Sequence, residues 1–166
     1  MKILIYGSSG WIGTQLIELL NINNIEYIIS KERLESNLLE EEVVNSKCTH
    51  VISTTGRTHG VYEGTHISTI DYLEKPGKLV DNMRDNYAGP MRLAEITKKH
   101  NIHYTYFGTG CIFSYDDKHT LENNVGFTEE DHPNFFGSSY SIMKGFTDTK
   151  MKEFKNVLNL RIRMPI

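Results

Sequence analysis

The chain has only two cysteines, Cys48 and Cys111, in 166 residues, so no disulfide framework carries its fold. No apolar run approaches the ~20 residues that span a bilayer. Residues Met1 to Tyr6 lead straight into a glycine turn and hold no cleavable apolar region. The expectations are therefore a cytoplasmic location and no membrane partner. The formal net charge of −3 supplies no basic field for nucleic acid. Internal repeats, low-complexity tracts and linkers are all missing. The seven histidines, His100 and His103 among them, match no standard zinc spacing, so no metal is expected. There is no Gly-Lys-Ser/Thr phosphate loop, and Gly7-Ser-Ser-Gly10 is not a nucleophile elbow.

What is present is an ordinary globular composition, 39% hydrophobic and 23% charged, at a length that suits one domain. Lys2 to Tyr6 reads as a buried strand. A helix follows from about Trp11 to Leu20, with Ile12, Leu16, Leu19 and Leu20 at helical spacing. Further strands are expected at Ile25 to Ser30, Thr49 to Ser53, His103 to Phe107 and Val157 to Ile162. They alternate with helices at Leu38 to Asn45, Leu79 to His100 and Tyr140 to Phe154. This alternation predicts an α/β fold, a doubly wound parallel sheet of Rossmann type in three αβα layers. Gly89-Pro90 should kink the long helix or split it in two. Arg57 to Lys78 reads as mostly irregular, and Gly108 to Ser138 as a second long loop. Loops beyond ~12–15 residues are uncommon unless functional. Both leave the carboxyl ends of strands, where such sheets bind ligands.

Gly7-x-x-Gly10-x-x-Gly13 follows a strand and opens a helix. Glycines let a backbone approach a pyrophosphate, and the amides of Trp11, Ile12 and Gly13 would lie at a helix N-terminus with its positive potential. The acid that usually meets the adenosine ribose falls about 20 residues on. That region reads Ser30-Lys31-Glu32-Arg33. With no acid at the strand tip, Lys31 and Arg33 favour a 2′-phosphate, hence NADPH over NADH. Thr54, Thr55 and Gly56 are placed near the adenine-side phosphates and ribose.

Tyr140 and Lys144 stand at i and i+4, one turn apart on one helix face. A nearby ammonium should lower the phenol from its ordinary value of ~10 and make Tyr140 a usable acid or base. Thr109 can orient a substrate carbonyl against it. Thr109 and Cys111 are two apart at a strand's end, so a continued extended backbone would project both to one side.

Together with Asn86 in Asn86-Tyr-Ala-Gly89 and Arg163-Met-Pro165, these residues resemble the extended short-chain dehydrogenase/reductases that act on nucleotide sugars. The runs Thr109-Gly-Cys-Ile-Phe113, Gly126-Phe127-x-Glu129-Glu130-Asp131 and Arg161-x-Arg163-Met-Pro-Ile166 look like nucleotide-rhamnose synthases. So does Asp71-Tyr-Leu-Glu-Lys-Pro-Gly77. The resemblance implies epimerisation at C3 and C5 of an NDP-4-keto-6-deoxyglucose, then reduction at C4 with NADPH. UDP sugars are favoured over dTDP sugars. It further implies Tyr140 as the acid, Lys144 lowering its pKa and holding the nicotinamide ribose, and Thr109 on the C4 oxygen. Cys111 is implied as an epimerisation base, with a small packing residue as the alternative. Asn86 and Pro165 are implied on the cofactor side, with an ordinary polar helix residue as the alternative for Asn86. The chain resembles the nucleotide-binding part of a longer enzyme, whose second epimerisation acid/base lies past residue 166. Its rivals are a reductase without epimerase activity and a non-catalytic NADP(H)-binding subunit. The helices at Leu79 to His100 and Tyr140 to Phe154 offer faces for a homodimer.

Overall fold

A computed structural model describes residues 1–163. Strand β1 (Ile3–Tyr6) is buried along its whole length because helices cover both faces of the sheet. Ile3 and Ile5 point to helix α1 (Trp11–Ile22), meeting Leu16, Ile17 and Leu20. Leu4 and Tyr6 point the other way, into a larger cluster built with helix α2 (Leu39–Ser46) and helix α4 (Gly89–Lys99). The two-residue period of the strand thus sorts the chain into three layers.

The sheet is completed by β2 (Tyr27–Ile29), β3 (His50–Ser53), β6 (His103–Thr109) and β7 (Val157–Ile162), all parallel, in the order β2-β1-β3-β6-β7. The chain leaves β1 toward β2 and returns to its other side as β3. The topological switch therefore lies between β1 and β3, and ligands of such sheets sit outside the carboxyl ends at that point.

Two expectations change. The segment from Arg57 to Lys78 is not mostly irregular: it holds an antiparallel hairpin of β4 (Gly60–Tyr62) and β5 (Thr65–Ile67) and a 3₁₀ turn over Ile70–Glu74. Glu63 (φ +47°) and Gly64 (φ +77°) form its two-residue turn, both left-handed as a tight hairpin requires. The long helix is not split at Pro90. Helix α3 (Leu79–Met83) runs into a π-helical turn at Arg84–Ala88 and on into α4, with helical backbone at each junction. Pro90 falls in the first turn of α4, where the wide π turn has just removed the regular ladder it would disturb. Helix α5 (Ser139–Met151) starts at Ser138, whose hydroxyl accepts from Ser141 N at 3.1 Å.

Candidate active site

The Gly7–Gly13 turn is shaped to receive an anion. Gly7 has φ +83°, and a Cβ there would stand 2.7 Å from Thr54 Oγ1. A Cβ on Gly13 would meet the Gly7 carbonyl at 2.2 Å, so helix and turn close only with glycine. Gly10 differs: its nearest neighbour would be Gly7 O at 3.4 Å, ordinary contact. Internal packing does not demand a glycine there. Gly10 caps α1 without any side-chain bond, which leaves the first-turn amides of Trp11, Ile12 and Gly13 facing outward. The Trp11 ring itself is exposed. Thr54 Oγ1 donates to Gly7 O at 2.9 Å, holding the turn against β3, and Thr55 Oγ1 pairs with Ser53 Oγ at 2.7 Å. These residues fit a dinucleotide pyrophosphate.

The turn opens onto a cleft of about 360 Å³ lined by Gly7, Gly10, Thr55, Gly56 and Arg33 among others. Lys31 does not line it; its amide donates to Glu42 Oε1 at 2.6 Å instead. Glu42 also accepts from Ser30 Oγ (2.7 Å), Tyr6 OH (2.9 Å) and Glu32 N (3.2 Å). Burial works to raise the Glu42 carboxyl, and those hydrogen bonds outweigh it, leaving the group below its usual range. Arg33 reaches the cleft paired with Glu35.

Asn86 is buried and binds backbone rather than facing the cleft. Its Oδ1 accepts from Arg57 N and its Nδ2 donates to Arg57 O, both at 2.9 Å, directly under Gly56. Beside it Asp85 joins Arg57 and Arg84, each at 2.6 Å. Burial pushes the Asp85 carboxyl up, and the two guanidiniums hold it lower still. Sequence reasoning missed Arg57, Arg84 and Asp85, although Arg57 directly follows Thr54-Thr55-Gly56. Pro165 lies outside the described residues.

Two strand spacings from β1, about 10 Å, the end of β6 meets the start of α5. Thr109, Cys111, Tyr140 and Lys144 come together there. Thr109 is the last residue of β6, and the chain then turns through a 3₁₀ segment at Gly110–Ile112. The extended backbone expected between Thr109 and Cys111 is therefore absent. The turn, closed by Cys111 N donating to Thr109 Oγ1 at 3.2 Å, brings the thiol to Tyr140 instead. Ser141 Oγ fixes it by donating to Cys111 O at 2.8 Å.

Lys144 is buried, its ammonium donating to Tyr106 OH and, at 3.1 Å, to Phe107 O. Burial lowers it to about 7. Tyr140 is pushed up to about 12, by burial first and the neighbouring Cys111 second, against the Thr109 hydroxyl. The expected lowering of Tyr140 by Lys144 is thus not seen, because the ammonium is turned to β6 and itself loses charge near neutrality.

The loop after β6 borders an open cavity of about 1190 Å³ lined by Cys111, Phe113, Phe127 and Arg161 among others. Buried His119 stacks on Phe127 (4.0 Å), which stacks on Phe113 (4.3 Å), and His119 Nδ1 pairs with Asp116 at 2.8 Å. Arg161 ties the loop to the sheet. It meets buried Asp148 through two bonds of 2.7 and 2.8 Å, and donates to Thr128 O (2.7 Å) and Asp131 O (3.0 Å).

Residues 3–162 match the family model described as the NAD dependent epimerase/dehydratase family. The chain belongs to that family. It is 49% identical to the crystal structure of a UDP-rhamnose synthase from Acanthamoeba polyphaga mimivirus, with a TM-score of 0.90, covering 100% of this chain and 57% of the viral one. It is 40% identical to a trifunctional UDP-glucose 4,6-dehydratase/UDP-4-keto-6-deoxy-D-glucose 3,5-epimerase/UDP-4-keto-L-rhamnose-reductase of Arabidopsis thaliana, spanning 24% of that protein. A bifunctional dTDP-4-dehydrorhamnose 3,5-epimerase/reductase of the same plant is 37% identical, with 52% of its length covered. The chain therefore spans about half, or less, of the length of these relatives. A dTDP-4-dehydrorhamnose reductase from Bacillus anthracis in complex with NADP shares the fold at 18% identity and a TM-score of 0.76.

Proposed function

We propose that residues 1–166 are the NADP-binding and catalytic domain of a bifunctional epimerase/reductase that converts UDP-4-keto-6-deoxy-D-glucose to UDP-L-rhamnose. The observation that carries this reading is the meeting of Thr109, Cys111, Tyr140 and Lys144 beside a glycine cradle with free helix amides. The identity to the viral UDP-rhamnose synthase supports the UDP sugar over the dTDP sugar. NADPH supplies the hydride to C4 when bound. The chain's residues handle the proton. A phenol near 12 keeps its proton at neutral pH, the form Tyr140 needs to protonate the C4 oxygen. Thr109 orients that oxygen. Cys111, half-exposed at the cavity wall, is the base that removes a proton made acidic by the neighbouring carbonyl. Arg33 supports NADPH over NADH, with a modest preference because Glu35 already holds it.

The test is NADPH oxidation by this chain with UDP-4-keto-6-deoxyglucose, followed by nicotinamide absorbance. Turnover above a Tyr140→Phe control is expected, with solvent deuterium entering C3 and C5 of the product. Deuterium entry undiminished by Cys111→Ala would leave a 4-reductase. NADPH binding without oxidation would leave a cofactor-binding subunit.

A further inference from the structure

Among the described residues the Lys144 ammonium has no carboxylate partner. Asp148, one turn further along α5, is taken by Arg161 and by Asn159 Nδ2 at 2.8 Å. The acceptors that remain are neutral and both come from β6: the Phe107 carbonyl and the Tyr106 hydroxyl. The ammonium also lies 4.4 Å from the Tyr106 ring centroid, within cation–π range. Tyr106 is fully buried and its strand is paired on both sides, so its hydroxyl has one place to be. Tyr104, two residues earlier on the same face, is equally buried, but its hydroxyl makes no hydrogen bond to Lys144.

We propose that Tyr106 is a positioning residue for Lys144, its phenol oxygen and ring face holding the ammonium at the floor of the site. The inference deepens the catalytic reading of Lys144 and rests on it for its meaning. An ammonium has three N–H donors. Tyr106 and Phe107 take two, which aims the third away from β6. A lysine held this way enters the reaction already oriented, without the rotamer entropy a free side chain would lose. The titratable groups that face it are Tyr106 from β6, Cys111 from the 3₁₀ turn and Asp148 from its own helix, and Tyr104 and Tyr140 act on Tyr106 in turn.

The experiment uses the chain without nucleotide, so that its outcome is independent of turnover. Lysine is labelled with ¹³C at Cε, and the Lys144 signal, assigned with Lys144→Met, is followed against pH. The wild-type midpoint is expected near 7. Tyr106→Phe removes one oxygen and keeps the ring. With that acceptor gone the charged form is worse solvated, and the midpoint should fall by about half a pH unit or more. Tyr104→Phe should leave it unmoved, since that hydroxyl does not accept from Lys144. A Tyr106→Phe midpoint equal to wild type overturns the proposal. Tyr106→Met carries the same expectation should the phenylalanine variant not fold. Loss of NADPH oxidation in wild type would refute the functional reading while leaving this titration to decide the placement of Lys144.

Discussion

Thr147 Oγ1 donates at 2.6 Å to the carbonyl of Asn86. In a regular α-helix that carbonyl would accept from the amide of residue 90, and Pro90 has none. The hydroxyl on α5 meets the carbonyl acceptor, and in doing so binds α5 to the π turn. Thr147→Val keeps the branched shape and removes the donor. It should cost about 1–3 kcal/mol, seen as a lower urea midpoint at unchanged slope.

Gly10 and Gly13 should separate folding from binding. Gly13→Ala puts a methyl 2.2 Å from Gly7 O and is expected to unfold the turn, seen as a large loss in thermal midpoint. Gly10→Ala has room in the protein and should melt close to wild type. Its NADPH affinity, read by fluorescence titration, should drop about tenfold or more, because in the proposed site the methyl would stand where the pyrophosphate approaches.

Lys144 predicts a pH signature in stability. Its folded value near 7 lies below its ordinary 10.5, so between those limits the unfolded chain binds more protons. Stability from this group must then rise with pH across that window. The wild type should gain on Lys144→Met as pH increases from about 7 to 10, measured by urea melts of both.

Glu42 gives the same sign in a more acidic window. Its carboxyl is held below its usual range in the fold. Its contribution is present above the unfolded value and is lost as pH falls through the lowered folded one. Glu42→Gln should be less stable than wild type at pH 7, and the difference should vanish in acid. NADPH binding should weaken alongside, since the amide keeps only one of the two accepting oxygens that Ser30, Lys31 and Glu32 share.

Asp148 and Arg161 are coupled. Arg161→Met leaves Asp148 buried and unpaired, which should cost about 3–5 kcal/mol, whereas Asp148→Asn/Arg161→Met together should cost less than the sum of the single changes. The double-mutant cycle measures it.

The layers and the glycine turn were legible because their signals are local. Ile3 and Ile5 alternate with Leu4 and Tyr6, and Gly7, Gly10 and Gly13 fall where a strand becomes a helix. The hairpin was hidden because three residues per strand are too few to show a period, although Glu63-Gly64 marks its turn. Tyr140 and Lys144 could be read from their spacing. Tyr106 could not, because its contact with Lys144 spans 38 positions between a strand and a helix. Lys31 and Arg33 looked equivalent in sequence, and the structure lines the cleft with Arg33 and not with Lys31.

The π turn at Arg84–Ala88 also acts as a phase adjuster. One residue beyond the regular repeat turns everything downstream by about 100° about the helix axis. With that offset, Asn82 and Asn86 meet Ser139 and the Arg57 backbone at one end while Leu93, Ala94 and Thr97 face the core at the other. Deleting a single residue from the turn would restore a uniform helix and force a choice between the two ends. The same rod would then serve the core or the site, but not both.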